Sequence, residues 1–175
     1  MTQKRIQVCI PVFPECDPSI IYGVFDTLWA AGRMWDHFPG GNPIGLFEPR
    51  LVGVEGRPLK LITGVSIIPQ DTIKTIKRTD VVFVPNVLIS GSQSPRSLDR
   101  RLIDWIKRMH RQGAQLYAAC GGSIVLAEAG LLEGQEATTH SSYAPLFRKY
   151  YPNVTLRIER ILVQTGVAQS LYCGG

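Results

Sequence analysis

A single thiol at a strand-to-helix corner is the group in this sequence best placed for chemistry. Residues 115–119 have the pattern of a strand, the residues from Gly122 onward have that of a helix, and Cys120 stands between them. Such a nucleophile elbow needs small residues two positions before and after the corner, and here they are Ala118 and Gly122. The start of a helix favours thiolate over thiol, so the pattern predicts a reactive cysteine. The alternative is a small buried apolar residue, as most free cysteines are.

A histidine shortly after the elbow is the second candidate for chemistry. His140 follows Thr138 and Thr139, and a histidine within reach of a thiol can act as its base, which is the minimum for nucleophilic catalysis. An equally good interpretation is that these residues end a strand and that the imidazole hydrogen-bonds a backbone carbonyl and shapes a pocket. The sequence does not decide between a catalytic and a pocket-lining His140.

Backbone N–H groups near the thiol are the third element of such a site. The N–H of Gly121, with one from Asn86 or Val87, would hold negative charge that develops on a substrate. Asp17 could move protons, but it precedes Pro18 and is at least as well suited to cap a helix. The predicted binding residues are Asp17, Asn86, Gly121 and Gly122.

Alternating strands and helices must bring these residues together. An apolar run at 6–12 leads into a helix that starts at Pro18 and ends near Gly32, and residues 80–85 have the pattern of a fully buried strand. A basic amphipathic helix follows, and then the elbow. This order predicts the α/β class, with a parallel sheet covered on both faces and Cys120 at the carboxyl ends of its strands.

Two further predictions concern local packing and pairing. The first helix should bury a wide apolar stripe that includes Ile21, Leu28 and Trp29, because these residues recur at helical spacing. Residues 47–54 and 59–63 flank a turn that contains Gly and Pro, and they are predicted to form a hairpin.

The composition is that of an ordinary globular domain. The 175 residues fit a single domain, and 45% hydrophobic with 19% charged residues indicate neither disorder nor a membrane protein. No apolar run is long enough to span a bilayer, and the charged start leads directly into a strand rather than into a signal-peptide core. A cytoplasmic protein is therefore expected.

The net charge of +5 does not indicate nucleic-acid binding by this chain. The densest basic cluster lies between Arg96 and Arg111, where apolar residues also recur at helical spacing. The basic side chains are therefore the outer face of an amphipathic helix. The 175 residues contain no helix-turn-helix, RNA-binding or zinc-finger pattern.

The cysteines and the remaining histidines give no sign of a metal or a cofactor. The four cysteines lie far apart, without Cys-x-x-Cys or His-paired spacing, which argues against a zinc site and against a disulfide framework. We expect reduced thiols, no metal and no cofactor. His37 and His110 have no partner pattern and are expected at the surface or at an interface.

The residues around the thiol and the histidine resemble the DJ-1/PfpI family of the class I glutamine amidotransferase-like superfamily. The resemblance rests on AACGG at 118–122 and ATTH at 137–140, and 126–134 and 147–154 look most like the GlxA-type branch. In that branch such a domain precedes an AraC-type helix-turn-helix domain. The resemblance implies a flavodoxin-like three-layer sandwich, usually a homodimer, whose cysteine pocket senses a small, often nitrogen-containing metabolite.

Three positions depart from the pattern of the family's enzymes. Those enzymes commonly support the thiol with a glutamate near the position of Ser19 or Ile20, where this chain has no carboxylate, although Asp17 or Glu15 could replace it. Protease-like members carry His directly after the nucleophile, whereas this chain has Gly121. A Gly-Gly turn that usually lends an N–H to the site is here Pro-Asn-Val at 85–87.

Two functions are therefore in competition. The first is a small-molecule-sensing and dimerisation domain of an AraC/GlxA-type transcription regulator, which contacts DNA only through a C-terminal domain absent from this chain. A strand at 168–173 with nothing after it to cover the sheet also leads us to expect a longer native protein. The alternative is a stand-alone cysteine-dependent enzyme, such as an isonitrile hydratase, amidase or glyoxalase-like lyase, in which Cys120 attacks an electrophilic carbon. Oxidant sensing by Cys120 is a third, weaker candidate.

Overall fold

Strands and helices alternate along the chain, as the sequence predicts. The computed structural model describes residues 4–34, 45–89, 93–166 and 171–174, so His37 and the first part of the strand predicted at 168–173 lie outside the described residues. The helices are α1 (Pro18–Ala30), α2 (Arg100–Arg111), α3 (Gly122–Glu128) and α4 (Ala144–Tyr150). The strands are β1 (Ile6–Val12), β2 (Phe47–Gly53), β3 (Leu59–Lys60), β4 (Ser66–Ile67), β5 (Asp71–Thr72), β6 (Val81–Val84), β7 (Gln115–Ala119), β8 (Glu136–Ala137), β9 (Thr155–Leu156), β10 (Leu162–Thr165) and β11 (Leu171–Gly174).

A mostly parallel sheet of seven strands forms the middle layer, in the order β10-β11-β7-β6-β1-β2-β5. Every pair in it is parallel except β10 with β11. The carboxyl ends of β1, β2, β6 and β7 therefore meet at one edge of the sheet. Cys120 directly follows β7 and lies at that edge, where ligands bind in open α/β sheets.

Helices cover the two faces of the sheet. The connections β1-α1-β2 and β6-α2-β7 step in opposite directions along the sheet, so right-handed crossovers place α1 and α2 on opposite faces. On β6, Val82 and Val84 are completely buried beneath the α2 and α3 layer, whereas Val81 and Phe83 are half-buried on the α1 side. The prediction of a flavodoxin-like three-layer sandwich is confirmed.

Helix α1 starts where the sequence predicts, but it buries less of its apolar surface than expected. Asp17 caps it, because its carboxylate accepts the Ser19 N–H at 2.9 Å, and Pro18 occupies the first turn. The predicted wide buried stripe is wrong: Ile21 is completely buried, but Trp29 is 48% exposed. The reason is that α1 packs mainly over β1 and β2, and an apolar trough of about 970 Å³ lies between its residues Val24 and Leu28 and the strands β6 and β7.

The predicted hairpin between residues 47–54 and 59–63 is also wrong. β2 lies inside the central sheet, parallel to β1 over its whole length. β3 pairs instead with β4, through a turn in which Gly64 has a φ of +90°. Glycine at 64 supplies a backbone conformation that other residues rarely adopt, so the hairpin forms one step later in the chain.

The basic helix is amphipathic, as predicted. α2 buries Leu102, Trp105 and Ile106 completely, and each such burial stabilises the fold by roughly 1.5–3 kcal/mol. Its first residues lie at the surface, where Arg101 pairs with Asp99 at 2.7 Å. His110, predicted at the surface or at an interface, is half-buried, and burial lowers the pKa of its imidazole. None of the described helices is long and apolar enough to cross a membrane.

Candidate functional site

The backbone of Cys120 has the geometry of a nucleophile elbow. Its φ is +52°, and among the described residues it is the one non-glycine residue with a positive φ. An L-residue held in this left-handed region is strained, which proteins tolerate mainly at functional positions. The side chain is half-exposed at the carboxyl edge of the sheet. The elbow predicted from the sequence is confirmed.

Two glycines allow the elbow to approach the loop after β6. A Cβ on Gly122 would lie 2.7 Å from the carbonyl oxygens of Val84 and Pro85. A Cβ on Gly121 would lie 2.6 Å from the carbonyl oxygen of Val87. Both distances are far below van der Waals contact with rigid backbone, so both positions need glycine for space rather than for an unusual φ.

Three groups that the sequence did not indicate hold the elbow in place. The carbonyl oxygen of Cys120 accepts the hydroxyls of Ser123 and Thr139, each at 3.0 Å. Its amide N–H donates to the carbonyl of Gly174 in β11 at 2.6 Å. Ser123 and Thr139 are fully or almost fully buried, which makes these bonds costly to lose. For Ser123 the sequence held a signal, a hydroxyl directly before the apolar run 124–127, whereas Thr139 stands between two polar residues and gave none.

The ring of His140 lies at the surface and is hydrogen-bonded to Ser142. The residue is exposed, and its Nδ1 accepts the Ser142 N–H at 3.2 Å and lies 2.8 Å from the Ser142 hydroxyl. His140 thereby caps the short 3₁₀ turn Ser141–Tyr143. Among the described residues its hydrogen bonds do not reach Cys120. The catalytic and the pocket-lining interpretations of His140 both stay predictions.

Asn86 links the elbow to the start of α1 through its side-chain amide. Its Oδ1 accepts the N–H of Gly121 at 3.0 Å, and its Nδ2 donates to Oδ2 of Asp17 at 3.4 Å. The sequence predicted that a backbone N–H of this loop would face a ligand, whereas the structure brings the side chain to the elbow. The N–H of Gly121 that was expected to stabilise negative charge already has an internal partner.

The carboxylate of Asp17 is held in its ionised form. Partial burial raises the pKa of Asp17, but hydrogen bonds from Ser19 and Asn86 outweigh that effect, so the pKa lies below its ordinary value. Oδ1 of Asp17 caps α1 while Oδ2 faces Asn86. In the structure Asp17 therefore caps α1, and it is linked to the elbow indirectly, through the side chain of Asn86.

Tyr143 covers the elbow, although the sequence did not single it out from its segment as a site residue. Its hydroxyl donates to the carbonyl of Val87 at 2.8 Å, and its ring edge lies 2.9 Å from the point where a Cβ of Gly121 would stand. Burial, and to a smaller extent the nearby Cys120 sulfur, raise the pKa of the Tyr143 hydroxyl. An apolar ring thus forms one wall beside the thiol.

A cleft of about 380 Å³ opens at the same edge of the sheet. It lies between the end of β1, the turn after β2 and the residues that precede α2. Its walls carry charges of both signs, from Glu15, Glu55, Arg57, Asp99 and Arg101. Sequence reasoning missed this cleft because its walls come from three distant segments.

The other three cysteines are structural. Cys9, Cys16 and Cys173 are at most 3% exposed, and burial raises the pKa of each thiol, to about 12 for Cys173. Within the described residues, no group of three or more His, Cys, Asp or Glu side chains is arranged to hold a metal ion. Cys120 is thus the accessible thiol of the described chain.

The chain matches a known family model over most of its length. A model of the DJ-1/PfpI family matches residues 40–164. The HTH-type transcriptional regulator CdhR of Pseudomonas aeruginosa is 30% identical over 114 residues, which is 65% of this chain and 33% of that regulator. Isonitrile hydratase of Pseudomonas putida is 28% identical over 141 residues, 81% of this chain and 55% of the enzyme. The chain thus spans about a third to a half of these relatives.

Solved structures share the fold. A candidate transcriptional regulator from Vibrio parahaemolyticus superposes with a TM-score of 0.76 at 23% identity, covering 98% of this chain and 84% of that one. At this level of identity the similarity establishes a common fold and does not carry an activity across.

Proposed function

Because the chain belongs to the DJ-1/PfpI family, we propose that it is the small-molecule-sensing and dimerisation domain of an AraC/GlxA-type transcription regulator. In this proposal residues 1–175 are one domain, the native protein is a cytoplasmic homodimer, and DNA is contacted by a C-terminal helix-turn-helix domain. Support comes from HTH-type regulators among the relatives, CdhR, GbdR and GlxA, each of which is longer than the matching part.

Two contacts favour sensing over catalysis. Asn86 occupies the N–H of Gly121, and the imidazole of His140 caps a turn at the surface. A catalytic cysteine needs free donors where negative charge develops and a base within reach of the thiol. The elbow is retained, and a cleft of about 380 Å³ opens at the same edge of the sheet, an arrangement that suits ligand binding.

The alternative function is a cysteine-dependent enzyme such as an isonitrile hydratase. It is favoured by the match to that enzyme over 81% of this chain and by the strained, half-exposed Cys120. In that case the thiol attacks an electrophilic carbon and His140 or Asp17 moves the protons. Turnover of isonitrile, amide and aldehyde substrates that is unchanged in Cys120→Ala would exclude it.

The first test is the intact mass of the native gene product in cell extract. A mass that exceeds this chain by a further domain, with two helix-turn-helix units in the added sequence, supports the regulator. A mass that corresponds to a chain ending soon after Gly175 contradicts the regulator and makes the enzyme the leading proposal. Sedimentation of the same protein then tests the dimer.

A further inference from the structure

We propose that the apolar trough beside α1 is filled by a second copy of this chain, in a two-fold dimer in which α1 of each protomer covers β6 and β7 of its partner. The walls of the trough include Val24 and Leu28 of α1, Val81 and Phe83 of β6, and Tyr117 of β7. This interface deepens the proposed dimerisation role and rests on it, because it names the surface through which the dimer forms.

The face of the sheet that carries the trough is incompletely covered. Parallel sheets normally have helices on both faces, because both faces of their strands are apolar. Among the described residues α1 is the one helix that lines the trough, and it packs mainly over β1 and β2. β7 and β6 are the third and fourth of the seven strands, yet Val81, Phe83 and Tyr117 are only half-buried. The middle of the sheet therefore lacks an apolar cover on this side.

Helix α1 is apolar on sides that face solvent in the protomer. Asp26 is the one charged residue between Pro18 and Ala30, and Ile21 is the one residue of the helix that is buried. Tyr22 and Trp29 are 43% and 48% exposed. A helix at a protein surface normally carries charged side chains on its outer face, and a helix that is apolar all round is normally buried. The composition of α1 is thus that of a helix covered on more than one side.

One arrangement of two copies covers both surfaces. A helix with its side chains is about 10–12 Å in diameter, so it fills one layer between two sheets. In the proposed dimer the sheets of two protomers face each other across their α1 sides, with the two α1 helices side by side between them. The outer face of each helix then meets the bare β6 and β7 of the partner. The contact is isologous and closes at two copies, because both protomers use the same surface.

Two unpaired charges support a second copy as the occupant. Asp26 is exposed on α1, and Arg78 is exposed at the rim of the trough. Neither side chain has a hydrogen bond or an ion pair within the part of the chain that the structure describes. Asp80, also at the rim, accepts the Gln7 N–H at 2.8 Å and lies 3.9 Å from the amine of Lys4. The entering helix thus brings one free carboxylate to a rim that offers one free guanidinium, and the two-fold axis repeats the pair.

Charge reversal tests this interface in the native gene product. Sedimentation equilibrium gives the dimer dissociation constant of wild type, Asp26→Arg, Arg78→Asp and the variant that carries both changes. Asp104→Arg is the matched control, because Asp104 is an exposed carboxylate on α2, which covers the opposite face of the sheet. All three positions are exposed in the protomer, and thermal unfolding checks that each variant is folded.

Each single reversal sets like charges against each other in the dimer, so it should raise the dissociation constant on the order of tenfold. The double variant restores the pair with opposite polarity and should return the constant to within about threefold of wild type. Asp104→Arg should dimerise like wild type. Single variants that dimerise like wild type, or a double variant that shows the summed defects of both, would overturn the proposal.

Other occupants of the trough give different results. A native product that is monomeric and takes up no apolar dye such as ANS would show that further residues of the same protein cover β6 and β7, and a monomer that binds the dye would show an open trough. Either result overturns the second copy. Failure here is distinguishable from failure of the regulator assignment: a longer gene product with two helix-turn-helix units and undisturbed dimers in both single variants refutes this interface and keeps the regulator.

Discussion

The hydroxyl of Thr139 donates to the carbonyl oxygen of Cys120 at 3.0 Å, although the two residues lie on different elements. Cys120 directly follows β7, and Thr139 follows β8, which pairs with β9 in a separate small sheet. The buried threonine thus ties that small sheet to the strained backbone of the elbow. In the motif that contains His140, the hydroxyl of Thr139 is the group that hydrogen-bonds to the elbow.

Replacement of Thr139 by valine should destabilise the domain. It keeps the shape of the side chain but leaves the Cys120 carbonyl with one fewer donor in a buried position, at a cost of roughly 1–3 kcal/mol. Thr139→Ser keeps the hydroxyl and should lose less. Urea unfolding of both variants measures the free energy of unfolding, and a Thr139→Val midpoint equal to that of wild type would refute the role of this bond.

Alanine at position 122 should be poorly tolerated. Its Cβ would lie 2.7 Å from two backbone carbonyl oxygens, so the elbow or the loop after β6 must move, at a cost of about 1–3 kcal/mol or more. Gly23→Ala is the matched control, since no atom lies within 4 Å of its added Cβ on α1. That variant should be stabilised by roughly 0.5–1 kcal/mol. Thermal unfolding measured beside wild type should give a lower midpoint for Gly122→Ala and a higher one for Gly23→Ala.

Alkylation of the native chain should be confined to Cys120. Cys9, Cys16 and Cys173 are buried, and burial raises the pKa of each thiol, so each is both inaccessible and protonated near neutral pH. Peptide mass spectrometry after brief iodoacetamide treatment should find one labelled site, and four after unfolding in urea. Early labelling of Cys173 in the native chain would show that β11 opens.

The contribution of Asp17 should depend on pH. Its folded-state pKa is depressed, so the stabilisation is present above the pKa of the unfolded chain and is lost as pH falls through the folded-state value. Asp17→Asn keeps a capping oxygen but cannot titrate. The difference in unfolding free energy between wild type and Asp17→Asn should therefore favour wild type at pH 7 and shrink below about pH 4. A difference that stays constant down to pH 2 would contradict this assignment.

Local patterns were predictable from the sequence, and pairings across the chain were not. The elbow at Cys120 and the cap at Asp17 each depend on neighbours within a few positions, so residue type and spacing identify both. The partner of β2 depends on β1, about forty positions earlier, and a turn-like sequence at 55–58 suggested the wrong one.

The candidate site shows the same distinction between local features, which the sequence predicts, and contacts between distant residues, which it does not. Gly121 and Gly122 were correctly placed at the elbow, because space next to a corner residue is a local requirement. The use of the Asn86 side chain, rather than its backbone, depends on a carboxylate 69 residues away. The contact of the Tyr143 ring with Gly121 depends on the tertiary fold, which the periodicity of the sequence does not indicate.

The bond from the Cys120 N–H to Gly174 joins the elbow to the end of β11. β11 is hydrogen-bonded to β7 on one side and to β10 on the other, so the backbone of Cys120 is held by a strand that lies much later in the chain. A shift of β11 in register against β7 would move the acceptor of the Cys120 N–H, and the geometry of the thiol therefore depends on correct docking of that late strand.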